Sequence, residues 1–176
     1  PPPPLAPADT APDRAEFANV TDDGVTVVRS AADRPTQVLA STIGATSVAF
    51  SPDGRRIAVA VANELQLWEQ EEGEGYQRRW TEKAHEKAIR KVAFSPNGEL
   101  VATASEDRTC RIREAATGAQ VAELRGYQAP VIDVAFSPDG TSIYATSSVG
   151  EVPSASEILS NPYAESSGGR SVAVSI

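Results

Sequence analysis

Apolar and polar residues alternate along this chain in short runs broken by Gly, Pro, Asp and Asn. The runs are Thr46–Phe50, Arg56–Ala62, Glu64–Glu69, Tyr76–Thr81, Ile89–Phe94, Glu99–Ser105, Thr109–Arg113, Ala119–Leu124, Val131–Phe136 and Ser142–Ser147. Alternation with a period of two puts successive side chains on opposite faces, the mark of a β-strand, and the frequent breakers make hairpin connections. Weaker runs at Ala15–Thr21, Val25–Arg29 and Thr36–Ser41 precede them, with Asp22-Asp23-Gly24 as a hairpin turn. Within this text one phrase occurs three times: Ser47-Val-Ala-Phe50-Ser-Pro-Asp-Gly54, Lys91-Val-Ala-Phe94-Ser-Pro-Asn-Gly98 and Asp133-Val-Ala-Phe136-Ser-Pro-Asp-Gly140. The phenylalanines stand 44 and 42 residues apart, a period that marks repeated supersecondary units. The expected architecture is all-β, in four-stranded antiparallel units at 45–81, 82–125 and 126–169. A partial unit lacking its first strand occupies 15–42, and 170–176 reads as the first strand of a further unit. Residues 153–169, rich in Ser, Pro, Asn and Gly, suit loops.

Residues 1–14 hold six of the thirteen prolines and are expected to form an extended linker or arm. The chain is 176 residues long and 40% hydrophobic, enough for a substantial core. A formal net charge of −8 argues against phosphate backbones and anionic membranes as partners. One cysteine excludes an internal disulfide, and with one histidine it cannot supply a usual zinc ligand set, so no metal or other cofactor is expected. The acidic loop Gln70–Gly75, with Glu71, Glu72 and Glu74, lacks the alternating oxygen ligands of a calcium loop. A chain that starts at Pro1 and contains no methionine reads as a piece of a longer product; the lack of a signal peptide and of a cysteine pair favours the cytoplasm.

The Val-Ala-Phe-Ser-Pro-Asp-Gly phrase, its spacing, and Leu65-Gln66-Leu67-Trp68-Glu69 in the third-strand place resemble the WD-repeat family of β-propellers. The resemblance implies four-stranded blades, here about four in an incomplete arc. It also implies that a blade can be pinned by a histidine before the first strand, a Ser or Thr on the second, an Asp after it and the Trp of the third. Those places fall on His85, Thr103 and Asp107 in the 82–125 unit, with Arg113 for the Trp. The 45–81 unit keeps Trp68 but offers Ala58 and Ala62; the 126–169 unit puts Tyr127 at the histidine and Val149 at the aspartate. His85, Ser105 and Asp107 also have the chemistry of a hydrolase triad, but Ser105 ends a strand with no nucleophile elbow and no oxyanion loop around it. Cys110 reads as a core thiol; Phe50, Trp68, Phe94 and Phe136 read as core aromatics.

What the resemblance implies for function is a non-catalytic scaffold for a protein or peptide, with no catalytic residues. Two alternatives stand beside it: a sensor or accessory propeller of a larger signalling enzyme such as a bacterial protein kinase, and a hydrolytic or Tol-like propeller. Contacts are expected at the end where loops before the first strand and after the second emerge, from Lys83, Glu106, Arg108, Arg125 and Tyr127, since Arg and Tyr concentrate interface energy. An open arc would leave edges and faces for self-association.

Overall fold

A computed structural model describes residues 9–10, 16–29, 36–72, 75–148, 164–165 and 171–175. They form four four-stranded antiparallel sheets, and no helix occurs among them. Sheet I contains β1 (Asp9–Thr10), β2 (Glu16–Thr21), β3 (Gly24–Arg29) and β4 (Gln37–Val38). Sheet II contains β5 (Ala45–Phe50), β6 (Arg56–Val61), β7 (Glu64–Glu71) and β8 (Gly75–Lys83). Sheet III contains β9 (Ile89–Phe94), β10 (Leu100–Ser105), β11 (Cys110–Glu114) and β12 (Gln120–Leu124). Sheet IV contains β13 (Val131–Phe136), β14 (Ser142–Ser147), β15 (Ala164–Glu165) and β16 (Ser171–Ser175).

Two strands differ from the sequence expectation. The first strand of sheet I is present: Asp9–Thr10, inside the proline-rich segment, pairs with Phe17 and Ala18 of β2. The segment 171–175 does not open a further unit but lies between β14 and β15, in the third place of sheet IV. Its alternating Ser-Val-Ala-Val-Ser pattern fits any strand with two packed neighbours, so periodicity could not tell a first strand from a third. The rest of the proline-rich arm, Val149 and most of 153–169 lie outside the described residues.

The repeated phrase closes each first hairpin with the same hydrogen bonds. The Ser51 hydroxyl donates to Asp53 Oδ1 (2.5 Å) and accepts from the Arg56 amide (2.9 Å), while Asp53 Oδ1 accepts from the Arg55 amide (3.0 Å). Ser95 with Asn97, and Ser137 with Asp139, reproduce the pattern. Glycine ends each turn because the backbone there has positive φ, 66° to 74° at Gly54, Gly98 and Gly140, where a Cβ is strained.

Each sheet buries one face against the next. Ala18, Val25, Val27 and Leu39 of the first unit pack on Val48, Phe50, Ile57, Val59, Trp68 and Tyr76 of sheet II. Ala49, Ala58, Ala60, Leu65 and Leu67 of sheet II meet Ile89, Val92 and Val101 of sheet III. Ala102, Ala104, Cys110 and Ile112 of sheet III meet Tyr127, Val131, Val134, Ile143 and Ala145 of the fourth unit. Backbones approach across these boundaries at the first strands, β5 with β9 and β9 with β13, whereas the fourth strands β4, β8 and β12 diverge. The sheets therefore fan out from their first strands, as propeller blades do.

Candidate functional site

Antiparallel connections return the chain to one end every second turn. That end gathers the loops 40–44, 62–63, 84–88, 106–109 and 125–130. Their anchor is His85, fully buried before β9. His85 Nδ1 lies 2.9 Å from Asp107 Oδ2, and Nε2 lies 2.7 Å from the Thr103 hydroxyl. A carboxylate only accepts, so Nδ1 carries the proton of the neutral ring and Thr103 donates to Nε2. Asp107 also accepts from the Glu86 amide (3.0 Å) and from the Thr109 hydroxyl (2.6 Å) and amide (3.0 Å). Thr109 was not evident as a member, although an Asp followed two positions later by Thr is a local turn signal. From the neighbouring blade, Asn63 accepts from the His85 amide through its carbonyl (3.1 Å) and donates to the His85 carbonyl (3.2 Å).

Burial holds the His85 pKa below its ordinary value against the opposing pull of Asp107, which keeps the ring neutral. For Asp107, burial pushes upward, but the hydrogen bonds from Thr109 and Glu86 together with His85 outweigh it, and the carboxyl falls to about 2. Ser105 is not part of this set: its hydroxyl donates to the Ala88 carbonyl (3.0 Å) and accepts from the Asp107 amide (3.1 Å). Both ring nitrogens of His85 are engaged elsewhere, so the residues do not form a nucleophile and base pair. Cys110 is fully buried, and burial pushes its thiol up to about 12, which keeps it protonated and a poor nucleophile. Among the described residues no group of three His, Cys, Asp or Glu side chains could hold a metal.

Register corrects several placements. Trp68 does not join the His85 network; its indole donates to Gln66 Oε1 (3.2 Å) within sheet II, and the ring packs toward sheet I. Ile57 pairs with both Phe50 and Trp68, as Val101 pairs with both Phe94 and Arg113, so Val59, not Ala58, takes the place of Thr103. The sheet II turn is one residue shorter than that of sheet III, so the place of Asp107 falls on Asn63 counted on from Ile57 and on Ala62 counted back from Trp68. Arg113 does stand where Trp68 stands, buried, with Nη1 donating to the Gly118 carbonyl (2.8 Å) and Nε without a partner.

Of the five expected contact residues, Tyr127 is not on the surface. It is 5% exposed, packed with Cys110, Leu124 and Val131, because an aromatic ring at the histidine place turns inward as His85 does. Lys83 is exposed and paired with Glu86 at 2.9 Å, and Arg125 is exposed and paired with Glu123 at 2.8 Å. Glu106 pairs with Arg90. Arg108 is exposed in a left-handed conformation, φ 69°. Ile43, which nothing in its sequence context singled out, is the most exposed large apolar side chain among the described residues, at 71%.

Comparison with known proteins agrees with this geometry. Residues 77–113 and 118–149 match the WD40 family, described as WD domain, G-beta repeat. A WD repeat-containing protein of Synechocystis is 37% identical over 105 residues, covering 59% of this chain and 29% of that protein. Topless-related protein 1 of Arabidopsis thaliana is 34% identical over 90 residues, covering 49% of this chain and 8% of that protein. Eukaryotic translation initiation factor 3 subunit I of Pyricularia oryzae is 36% identical over 97 residues, covering 54% of this chain and 27% of that protein. The chain thus spans less than a third of each of these relatives. With its repeated hairpin turn, its radiating four-stranded sheets and its His85–Thr103–Asp107 pin, the chain carries WD40 repeats at residues 77–113 and 118–149 and is similar to WD-repeat proteins.

Proposed function

We propose that this chain is a non-catalytic scaffold that holds a protein or peptide partner at the loop end defined above. The observation that carries this reading is the backbone there. Among the described residues, non-glycine residues with positive φ occur only at Ser41, Ala62 and Arg108, all at that end. Left-handed backbone at a residue with a Cβ costs on the order of 1–3 kcal/mol, persists only where the surrounding structure holds it, and clusters at functional loops. The His85–Asp107 pin beneath these loops makes the surface stiff, which limits the ordering entropy lost on binding. Lys83, Glu106, Arg108 and Arg125, joined by Ile43 and without Tyr127, are the proposed contacts. One relative is by its name a subunit of a larger factor, in keeping with an assembly role. The net charge of −8 disfavours nucleic acid and anionic membrane as the partner.

The test is quantitative capture from a cell lysate with mass spectrometry. Joint substitution Ile43→Asp, Arg108→Glu and Arg125→Glu should reduce the specifically retained proteins tenfold or more, about 1.4 kcal/mol. Glu71→Lys with Glu72→Lys, at the opposite end, should leave them in place. Loss with the acidic-loop pair but not with the triple would overturn the choice of surface. Turnover of a substrate by the purified chain, abolished at His85, would overturn the scaffold reading itself.

A further inference from the structure

Hydrogen bonds fix the order in which loops adjoin one another at the pinned end. The Val25 amide, just after the Asp22-Asp23 turn, donates to the Thr42 hydroxyl (2.8 Å), which sets that turn beside loop 40–44. Ala45 pairs with Val61, so loop 40–44 lies next to 62–63. The Ile89 amide donates to the Ala62 carbonyl (2.7 Å), which brings in loop 84–88. The Glu106 amide donates to the Ala88 carbonyl (3.0 Å), and the Ser105 hydroxyl lies 3.2 Å from that of Lys87, which adds loop 106–109. The resulting strip crosses sheets I, II and III.

Most charges along it are already matched. Lys83 pairs with Glu86, Arg90 with Glu106, and Arg125 with Glu123. Glu64 stands opposite Lys83 in register, and Asp107 is turned inward onto His85, the Glu86 amide and Thr109. The charges left over are sorted by position. Lys87 and Arg108, both exposed and neither with a carboxylate partner among the described residues, lie on the sheet III side. Asp22 and Asp23, both exposed, lie on the sheet I side. Between them stand Ile43, 71% exposed, and Ala62, exposed on left-handed backbone at φ 52°.

One exposed isoleucine or one unpaired cation is ordinary on a protein surface. An ordered sequence of basic, apolar and acidic groups across adjoining loops is different, because it distinguishes one ligand from another. Building on the scaffold reading, we propose that this strip binds an extended peptide segment in which an apolar side chain sits beside an Asp or Glu. The apolar side chain covers Ile43 and Ala62, removing both from water. The carboxylate meets Arg108, whose guanidinium can hold it through two parallel N–H donors, with Lys87 as a second positive charge. Asp22 and Asp23 repel a carboxylate on the other side of Ile43, so the segment lies in one direction only. The chain as a whole carries a net charge of −8, so an acidic segment is not drawn in from a distance and the contact is read at short range.

Selection of random linear peptides displayed on phage against the purified chain tests this. Enriched sequences should combine Asp or Glu with Leu, Ile, Val or Phe at a constant spacing. In titration calorimetry the enriched peptide should lose affinity by about tenfold or more on Lys87→Glu with Arg108→Glu, and by a similar factor on Ile43→Asp. Circular dichroism and urea unfolding check the fold of each variant. On the unaltered chain, exchanging the peptide's Asp or Glu for Asn or Gln should cost a similar factor, independently of any effect on folding. In a further arm the charges are exchanged: the peptide with Lys in place of its acidic residue should bind the Lys87→Glu, Arg108→Glu chain better than it binds the unaltered one. No enrichment, enrichment without acidic residues, or failure of the exchange would overturn the acidic-peptide assignment. The loop-end scaffold would still stand if lysate capture was lost in the Ile43, Arg108 and Arg125 triple variant. Enriched peptides that bind that triple variant as well as the unaltered chain would overturn both.

Discussion

The two ends of the sheets are built by opposite means. At one end, Ser-Pro-Asp/Asn-Gly turns repeat the same serine bridge three times and put glycine wherever φ is positive. At the other, every loop is different: a histidine pin at 84–88, a backbone clamp from Asn63, an inward tyrosine at 127, and side chains carried on left-handed backbone at Ser41, Ala62 and Arg108. The first end is chosen for local stability, each turn satisfying its own donors. The second tolerates strain and is held from beneath by long-range contacts. The difference separates a stabilising rim from a surface free to vary, on one continuous set of strands.

The pinned end depends most on Asp107. Asp107→Ala leaves the buried His85 Nδ1–H and the Glu86 amide without their acceptor and should lower stability by about 1–3 kcal/mol in urea unfolding. A similar loss at Arg108, which touches no such network, would refute the idea that the pin rather than the loop carries the stability. Next in size is the repeated rim: Ser95→Ala removes a hydroxyl that serves both Asn97 and the Leu100 amide, for about 1–2 kcal/mol.

Acid should act on the pinned end in two steps of the same sign. His85 has a folded pKa below its ordinary 6.5, so the unfolded chain binds the proton first and stability falls as pH drops below about 6.5. Asp107, at about 2 instead of 3.8, adds a second loss as pH falls from 3.8 toward 2. His85→Asn should flatten the upper step in a stability profile. Retention of that step in the variant would assign it elsewhere.

Arg108→Gly sharpens the contrast with a smaller effect of opposite sign. Relief of the left-handed strain should raise stability by about 0.5–1 kcal/mol while partner retention falls. The smallest effect belongs to the outer strands: Arg79→Ala breaks the partly exposed pairs with Glu69 and Glu71 and should change stability by no more than about 0.5 kcal/mol.

Strand identity and turn chemistry were legible in the sequence because each rests on local pattern, period-two alternation with a Pro and a Gly at fixed turn positions, whereas the His85–Thr103–Asp107 set came only from the family resemblance. These determine a repeat and its internal pairing. Where the pattern was ambiguous, only packing in three dimensions decided. β16 became a third strand and not a first because β14 had a free edge to fill. Asp9–Thr10 became a strand because β2 offered an edge to a segment whose prolines discourage one. Tyr127 went inward, and Trp68 turned toward sheet I, because a side chain's face follows from register, and a shift of one residue reverses it. Local chemistry fixes which hydrogen bonds a turn can make; which faces meet depends on sheets brought together from distant parts of the sequence.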